Sequence, residues 1–291
     1  MTNTAEKITS DRQVIYDMPA EEYHALQRFS ASGIKKILVS AQDFWATSWM
    51  NPERHEAKSD AFNLGTAYHT RILEGRKVFD QRYAVMPECD RRTSAGKAIY
   101  ATWRELFPLA EAISPTVYDE INMAAACQSE FFKGGKAEVT VLWEDEETGV
   151  PMKARLDYLK EMPGRSGQIN DLKTFSNSSG MDLNRLLAKH IVQYKYHVQQ
   201  AVYQTAVPEC DFHYIFQQVG QVNNCIPLHL GYNLMLAEQG RALMRIGIDK
   251  FAHFYRKFGS KAEWTEEFKT IDMTDEDFPM YAYEPEGTKN D

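Results

Sequence analysis

Two aspartates and a lysine carry the densest chemistry in the chain. Asp157 stands in Arg155-Leu156-Asp157-Tyr158, and Asp171 and Lys173 stand in Asn170-Asp171-Leu172-Lys173-Thr174. On an extended strand Asp171 and Lys173 share one face, with Leu172 on the other. Asp157 precedes Asp171 by fourteen positions across a turn, so neighbouring strands can bring the carboxylates together. Converging carboxylates repel unless a cation lies between them. Hard oxygen donors with open positions suit Mg²⁺ or Mn²⁺. A lysine two residues from one ligand can orient a metal-bound water or balance charge developing on phosphorus.

The D…DxK spacing alone is a common chance pattern, and a salt-bridged strand pair explains it as well. Further residues fall in order around it. Gly65-Thr66-Ala67-Tyr68-His69 places a small residue one helical turn before an imidazole. Glu138 opens the strand Ala137–Trp143 and adds a carboxylate near the same strand ends. Gln199 and Tyr203 stand four apart on a helix after the third strand, with Lys195 one turn earlier. Taken singly, His69 is a structural histidine, Gln199 and Tyr203 a surface-and-core pair, and Glu138 a solvated edge residue. Together they form the series GxxxH, E, D, DxK, QxxxY.

The elements that must position these residues follow from capping and periodicity. Ser30-Ala31-Ser32 caps a helix that starts at Gly33 and runs toward Trp49. Helices are expected from about Asp60 to Glu74, from Ser94, and from Pro115 to Gly134-Gly135. Ala137–Trp143, a polar turn and Pro151–Leu159 form a hairpin, followed by a third strand over Gly167–Lys173. Leu187, Ile191, Tyr194, Val198, Ala201 and Val202 predict one long helix over roughly Asn184–Val207. Two strands, Phe212–Val222 and Cys225–Met235, precede a helix over Ala237–Phe258. This order is an α/β or α+β domain with a helical N-terminal part. We divide the chain into an N-terminal extension (1–29, its first dozen residues frayed), a catalytic domain (30–260) and an acidic tail (261–291).

The 291 residues, 43% hydrophobic and 25% charged, suit a globular protein. No apolar run approaches the ~20 residues of a membrane span, and no apolar signal core opens the chain. The net charge of −8 argues, at face value, against a nucleic-acid partner. It is not spread evenly. Residues 262–291 hold ten acids and two bases, leaving a body of thirty-one each. Cys89, Cys127, Cys210 and Cys225 form no CxxC pair and are expected to be reduced thiols.

At residues 30–44 (SASGIKKILVSAQDF), 62–75 (FNLGTAYHTRILEG), 137–159, 169–174 (INDLKT) and 194–203 (YKYHVQQAVY) the chain resembles the RecB-type branch of the PD-(D/E)xK nucleases. Within it, the likeness is to the RecE (exodeoxyribonuclease VIII) type of phages and prophages. The resemblance implies a nuclease core with a central mixed sheet flanked by helices. It implies His69, Asp157, Asp171 and the Leu172 backbone carbonyl as metal ligands, with Glu138 a less certain one. It implies Lys173 as the catalytic lysine, with Gln199 and Tyr203 supporting the site and contacting DNA. Mg²⁺ is the expected ion, with Mn²⁺ as a substitute. The cysteines lack the clustering of the iron–sulfur relatives, so no cluster is expected.

The resemblance further implies an exonuclease that degrades linear double-stranded DNA from the 5′ end and leaves 3′ single strands for an annealing protein in recombination. It also implies a ring-like homo-oligomer such as a tetramer, in the cytoplasm of a bacterial cell. DNA contacts are expected from Arg155, Lys195, Arg71, Arg76 and Lys77. Lys153 is a further candidate, and Arg91 and Arg92 are more simply solvated charges. The rival readings are a RecB-type endonuclease or single-strand nuclease, and a non-catalytic DNA-binding or assembly module. The acidic tail is either a partner-docking segment or a solubilising one.

Overall fold

The computed structural model describes residues 5–9, 12–54, 63–161, 167–178, 180–220, 228–230 and 234–265. A seven-stranded mixed sheet runs through it in the order β1 (Ala5–Thr9), β2 (Arg12–Ile15), β5 (Lys136–Glu144), β6 (Pro151–Lys160), β7 (Gly167–Phe175), β8 (Cys210–Gln218), β9 (Leu228–Leu230). All neighbours are antiparallel except β7 and β8, which are parallel. That pair needs a crossover, and it is made by α8 (Leu183–Gln193) and α9 (Tyr196–Ala206). A small parallel pair, β3 (Tyr83–Val85) and β4 (Glu111–Ile113), lies apart from the main sheet.

The remaining helices are α1 (Ala20–Ala25), α2 (Ala31–Ile37), α3 (Ala41–Thr47), α4 (Leu64–His69), α5 (Arg76–Arg82), α6 (Ser94–Leu106), α7 (Pro115–Gln128) and α10 (Leu234–Phe258). Six of the described helix starts carry a side-chain cap of the type read from sequence. Ser30, Ser40, Asn63, Thr93, Ser114 and Asp182 accept from the amides of Gly33, Asp43, Thr66, Gly96, Val117 and Arg185. α4 passes directly into a single π turn over Thr70–Glu74, which ends at Gly75 in a left-handed conformation.

The main core lies where α2, α3, α9 and α10 cover one face of the sheet. It includes Phe29, Ile34, Phe44, Val139, Leu156, Ile169, Val198, Val202, Phe251 and Trp264. A second core joins α4, α5 and α7 through Tyr68, Phe79, Ile121 and Ala124. The site therefore lies on strands held between two helical layers. Close contact fixes α9 against α10: a Cβ on Gly240 would stand 2.2 Å from the His197 carbonyl oxygen.

Three expectations are corrected. Within the dozen residues expected to fray, residues 5–9 and 12 lie in β1 and β2, which pair antiparallel, and β2 adds to β5. The helix from Gly33 toward Trp49 is two helices, restarted by the Ser40 cap. The helix over 184–207 is also two. Lys195, at φ 50, breaks it with a left-handed residue between α8 and α9. The proposed start of the second helix at Asp60, most of the strand over 225–235, Cys225, and residues 266–291 of the acidic tail lie outside the described residues.

Candidate functional site

The site begins as an interruption of the sheet. In the β5–β6 ladder Ala137 pairs with Tyr158 and Val139 with Leu156, so Glu138 faces Asp157. Glu138 adopts φ 54, the left-handed region that a β-strand residue rarely occupies. On β6, Met152, Ala154, Leu156 and Leu159 all enter the main core, so strict alternation slips by one residue between Leu156 and Leu159. Asp157 sits at that slip. The β6–β7 pairing runs only as far as Tyr158 and Asn170. One step beyond, the Leu172 backbone amide donates to Asp157 Oδ2 at 2.8 Å. The strands thus part where the carboxylates stand, and a side chain replaces the ladder bond.

α4 delivers His69 to this opening. A Cβ on Gly65 would lie 3.2 Å from Thr174 Oγ1, so a glycine lets the helix press against β7. His69 Nδ1 stands 3.9 Å from Asp157 Oδ2. His69, Glu138 and Asp157 each offer one donor atom, all within 4.8 Å of one another. Asp171 takes a different position. Its Oδ2 pairs with Lys173 Nζ at 2.5 Å, and its Oδ1 accepts from Gln199 Nε2 at 3.1 Å. Asp171 is fully buried, and Lys173 is 11% exposed.

α9 braces the arrangement from the core side. Gln199 Nε2 also donates to Tyr203 Oη at 2.9 Å, and the Tyr203 hydroxyl donates to the Arg155 carbonyl at 2.6 Å. Arg155 forms an ion pair with Glu138 through Nε, while its buried Nη1 has no hydrogen-bond partner among the described residues. A cleft of about 1110 Å³ opens on this side, lined by His69, Glu138 and Arg155 together with Asn63, Glu21 and Arg82.

The protonation states suit cation binding. Burial raises the Asp157 carboxyl to about 6, opposed by Lys173 and helped by Glu138. Burial raises Asp171 to about 6 as well, again opposed by Lys173. Burial lowers His69, and Lys173 lowers it further, so the imidazole is held neutral with a free lone pair. Burial pulls Lys173 down, but Asp171 and Asp157 outweigh it and leave the ammonium firmly charged.

The sequence-predicted residues are partly brought together. His69, Glu138, Asp157, Asp171, Leu172, Lys173, Gln199, Tyr203 and Arg155 form one contiguous site. Glu138, read from sequence as the less certain ligand, stands inside the donor trio. Arg71, Arg76 and Lys77 do not join the cluster. Arg71 donates to Asn122 and Arg76 pairs with Asp80, while Lys77 is exposed. Lys153 is corrected as a DNA contact: it is 6% exposed, and its Nζ donates to the carbonyls of Tyr23 and Leu26 at 2.8 Å each. Two participants were missed. Lys35 donates to Gln199 Oε1 at 3.1 Å, and the Tyr196 ring lies 5.1 Å from Lys173 Nζ. Both fall within stretches of recognised likeness, but no local spacing ties Lys35 to a partner 164 residues away.

Residues 30–216 match a family model described as a PDDEXK-like domain of unknown function, DUF3799. The chain belongs to this family. Every residue of the donor trio and of the DxK pair falls inside the matched range of the PDDEXK-like domain. The fold is similar to a crystal structure from Eubacterium rectale described as "Putative exonuclease". That likeness has a TM-score of 0.53 and 14% identity, and covers 88% of this chain and 96% of the other. A structure described as SSO0001 is similar at a TM-score of 0.28 and 12% identity, over 76% and 84%, too distant to bear on the fold. No curated protein matches the chain. The family match and the likeness to the Eubacterium rectale structure place the protein among PD-(D/E)xK nuclease-like domains. No helix among the described residues is long and apolar enough to cross a membrane.

Proposed function

We propose that the protein is a Mg²⁺-dependent exodeoxyribonuclease that degrades linear double-stranded DNA from 5′ to 3′ and leaves 3′ single strands for recombination. The observation that carries the hydrolytic part is the convergence of His69, Glu138 and Asp157 beside the Asp171–Lys173 pair. Two carboxylate oxygens and a neutral imidazole nitrogen at these separations fit one hard divalent cation, and the nitrogen donor lets Mn²⁺ substitute for Mg²⁺. When bound, such a cation supplies an acidified water and neutralises phosphoryl oxygens.

The chain's own residues do the rest. Lys173 presents a full positive charge where charge develops on the phosphoryl group, and Asp171 keeps it protonated and in place. Gln199 holds Asp171, and Tyr203 ties that bond to β6. Arg155, which lines the cleft, supplies positive charge toward the phosphodiester. The 5′ polarity, the ring-like homo-oligomer and the annealing partner are supported by the sequence resemblance to the RecE type. Digestion of matched linear and covalently closed duplexes tests the exonuclease reading. The linear form should disappear and the closed circle persist, whereas cleavage of the circle would make the protein an endonuclease.

A further inference from the structure

Lys35 is the charge at this site with no assigned work. Its Nζ donates to the neutral Gln199 amide at 3.1 Å and lies 5.4 Å from the centre of the Tyr196 ring. Lys173 approaches the same ring at 5.1 Å. Among the described residues Lys173 has a carboxylate partner, while neither Lys35 nor Lys195 forms an ion pair. Burial, with repulsion from Lys173 and Lys195 outweighing attraction to Asp171, lowers Lys35 to about 8. A half-buried ammonium set against a neutral amide and a ring is costly to keep, because its charge remains unanswered in the free protein. A cation so placed beside other cations is matched to an anion that arrives from outside.

We propose that Lys35, with Lys195 beside it, forms a second phosphate-binding position that takes a backbone phosphodiester adjacent to the one facing Lys173. This rests on the nuclease reading above and extends it to the α2–α9 side of the carboxylates. Lys35 reaches from α2, while Lys195 occupies the left-handed break before α9. The break that interrupts the crossover helix thus leaves Lys195 within electrostatic reach of the half-buried Lys35. The bond to Gln199 Oε1 also distinguishes two roles. Merely orienting the amide requires a donor, which a neutral side chain can supply. Holding phosphate requires charge.

The test is the salt dependence of binding to a short 5′-phosphorylated duplex, measured by fluorescence anisotropy in Ca²⁺ with the duplex checked to be uncut. Each phosphate contact contributes a slope of about −0.9 in log K against log salt. Lys35→Gln should flatten the slope by about one unit and weaken binding about tenfold at low salt, while Lys35→Arg keeps the wild-type slope. Lys195→Asn, which tolerates the left-handed backbone, should flatten it similarly and reports on the same phosphate if Lys35→Gln fails to fold. Wild-type slopes in folded Lys35→Gln, or in Lys195→Asn where Lys35→Gln does not fold, overturn the second phosphate position and leave the nuclease reading standing. A wild-type protein that binds no duplex overturns both.

Discussion

Leu172 and Asp157 are joined by a backbone-to-side-chain hydrogen bond of 2.8 Å at the point where β6 and β7 cease to pair. The bond spends one oxygen of Asp157 on holding the strands apart and leaves the carboxylate facing His69 and Glu138. Asp157→Asn keeps the size and an acceptor oxygen but removes the charge. It should retain a cooperative melt while losing Mn²⁺ affinity by about tenfold or more, measured by calorimetry. Unchanged affinity would remove Asp157 from the donor set.

The raised carboxyls give metal binding a pH dependence. In the metal-free fold Asp157 and Asp171 sit at about 6, above their ordinary value. Below that pH the protonated form dominates, and a cation must displace a proton to bind. Mn²⁺ affinity should be flat above about pH 7 and fall roughly tenfold per pH unit below 6 for each carboxylate engaged. The sign for stability is opposite. A carboxyl whose folded pKa exceeds its unfolded one stabilises the protein on acidification, so the metal-free melting temperature should rise between pH 7 and 5 before global acid effects intervene. A metal-free melting temperature that falls monotonically over that range would contradict the raised values.

Tyr203 links Gln199 to the Arg155 carbonyl while 7% exposed. Tyr203→Phe should cost about 1 kcal/mol, the usual value of a lost buried hydrogen bond. It should also lower the hydrolysis rate more than it raises KM, because it loosens Asp171 without touching substrate. A change confined to KM would place Tyr203 against DNA instead.

Much of this site was legible in the sequence because its residues lie at spacings the backbone converts directly into position. Gly65 and His69 need only a helix turn, Asp171 and Lys173 only a strand, and Gln199 and Tyr203 only α9. What stayed hidden depends on contacts between distant segments. Lys35 finds Gln199 across most of the chain. Glu138 was read from sequence as the less certain ligand, but the left-handed φ it adopts there is not announced by its sequence, AlaGluVal. The break at Lys195 is masked because Leu187, Ile191, Val198 and Val202 keep a helical rhythm across it. β1 and β2 escaped because their short polar strands pair at the sheet edge rather than supplying an apolar pattern.

The hairpin end of the sheet is anchored separately. Arg245 on α10 makes a forked contact with both oxygens of Asp145 at 2.9–3.1 Å. Burial would raise Asp145, but the bonds from Arg245 and Thr148 overcome it and hold the carboxyl below its ordinary value. Its stabilising contribution is therefore present above the unfolded value and lost as pH falls through the folded one. Arg245→Ala should cost about 1–2 kcal/mol at pH 7, more than an exposed pair, and progressively less in acid. Urea melts at pH 7 and pH 3 measure this, and an equal cost at both would deny the pair its charge dependence.

The sharpest part of the proposed function is its division of labour, in which His69, Glu138 and Asp157 would hold the cation and Lys173 would serve the phosphoryl group. Mg²⁺-dependent release of label from a 5′-end-labelled linear duplex, compared between wild type and Lys173→Ala, tests it directly. The variant should bind Mn²⁺ close to wild type and lose activity by about 10²–10³-fold, as when one charge-stabilising donor is removed. Lys173→Ala cleaving at the wild-type rate, with the metal bound, would contradict the account.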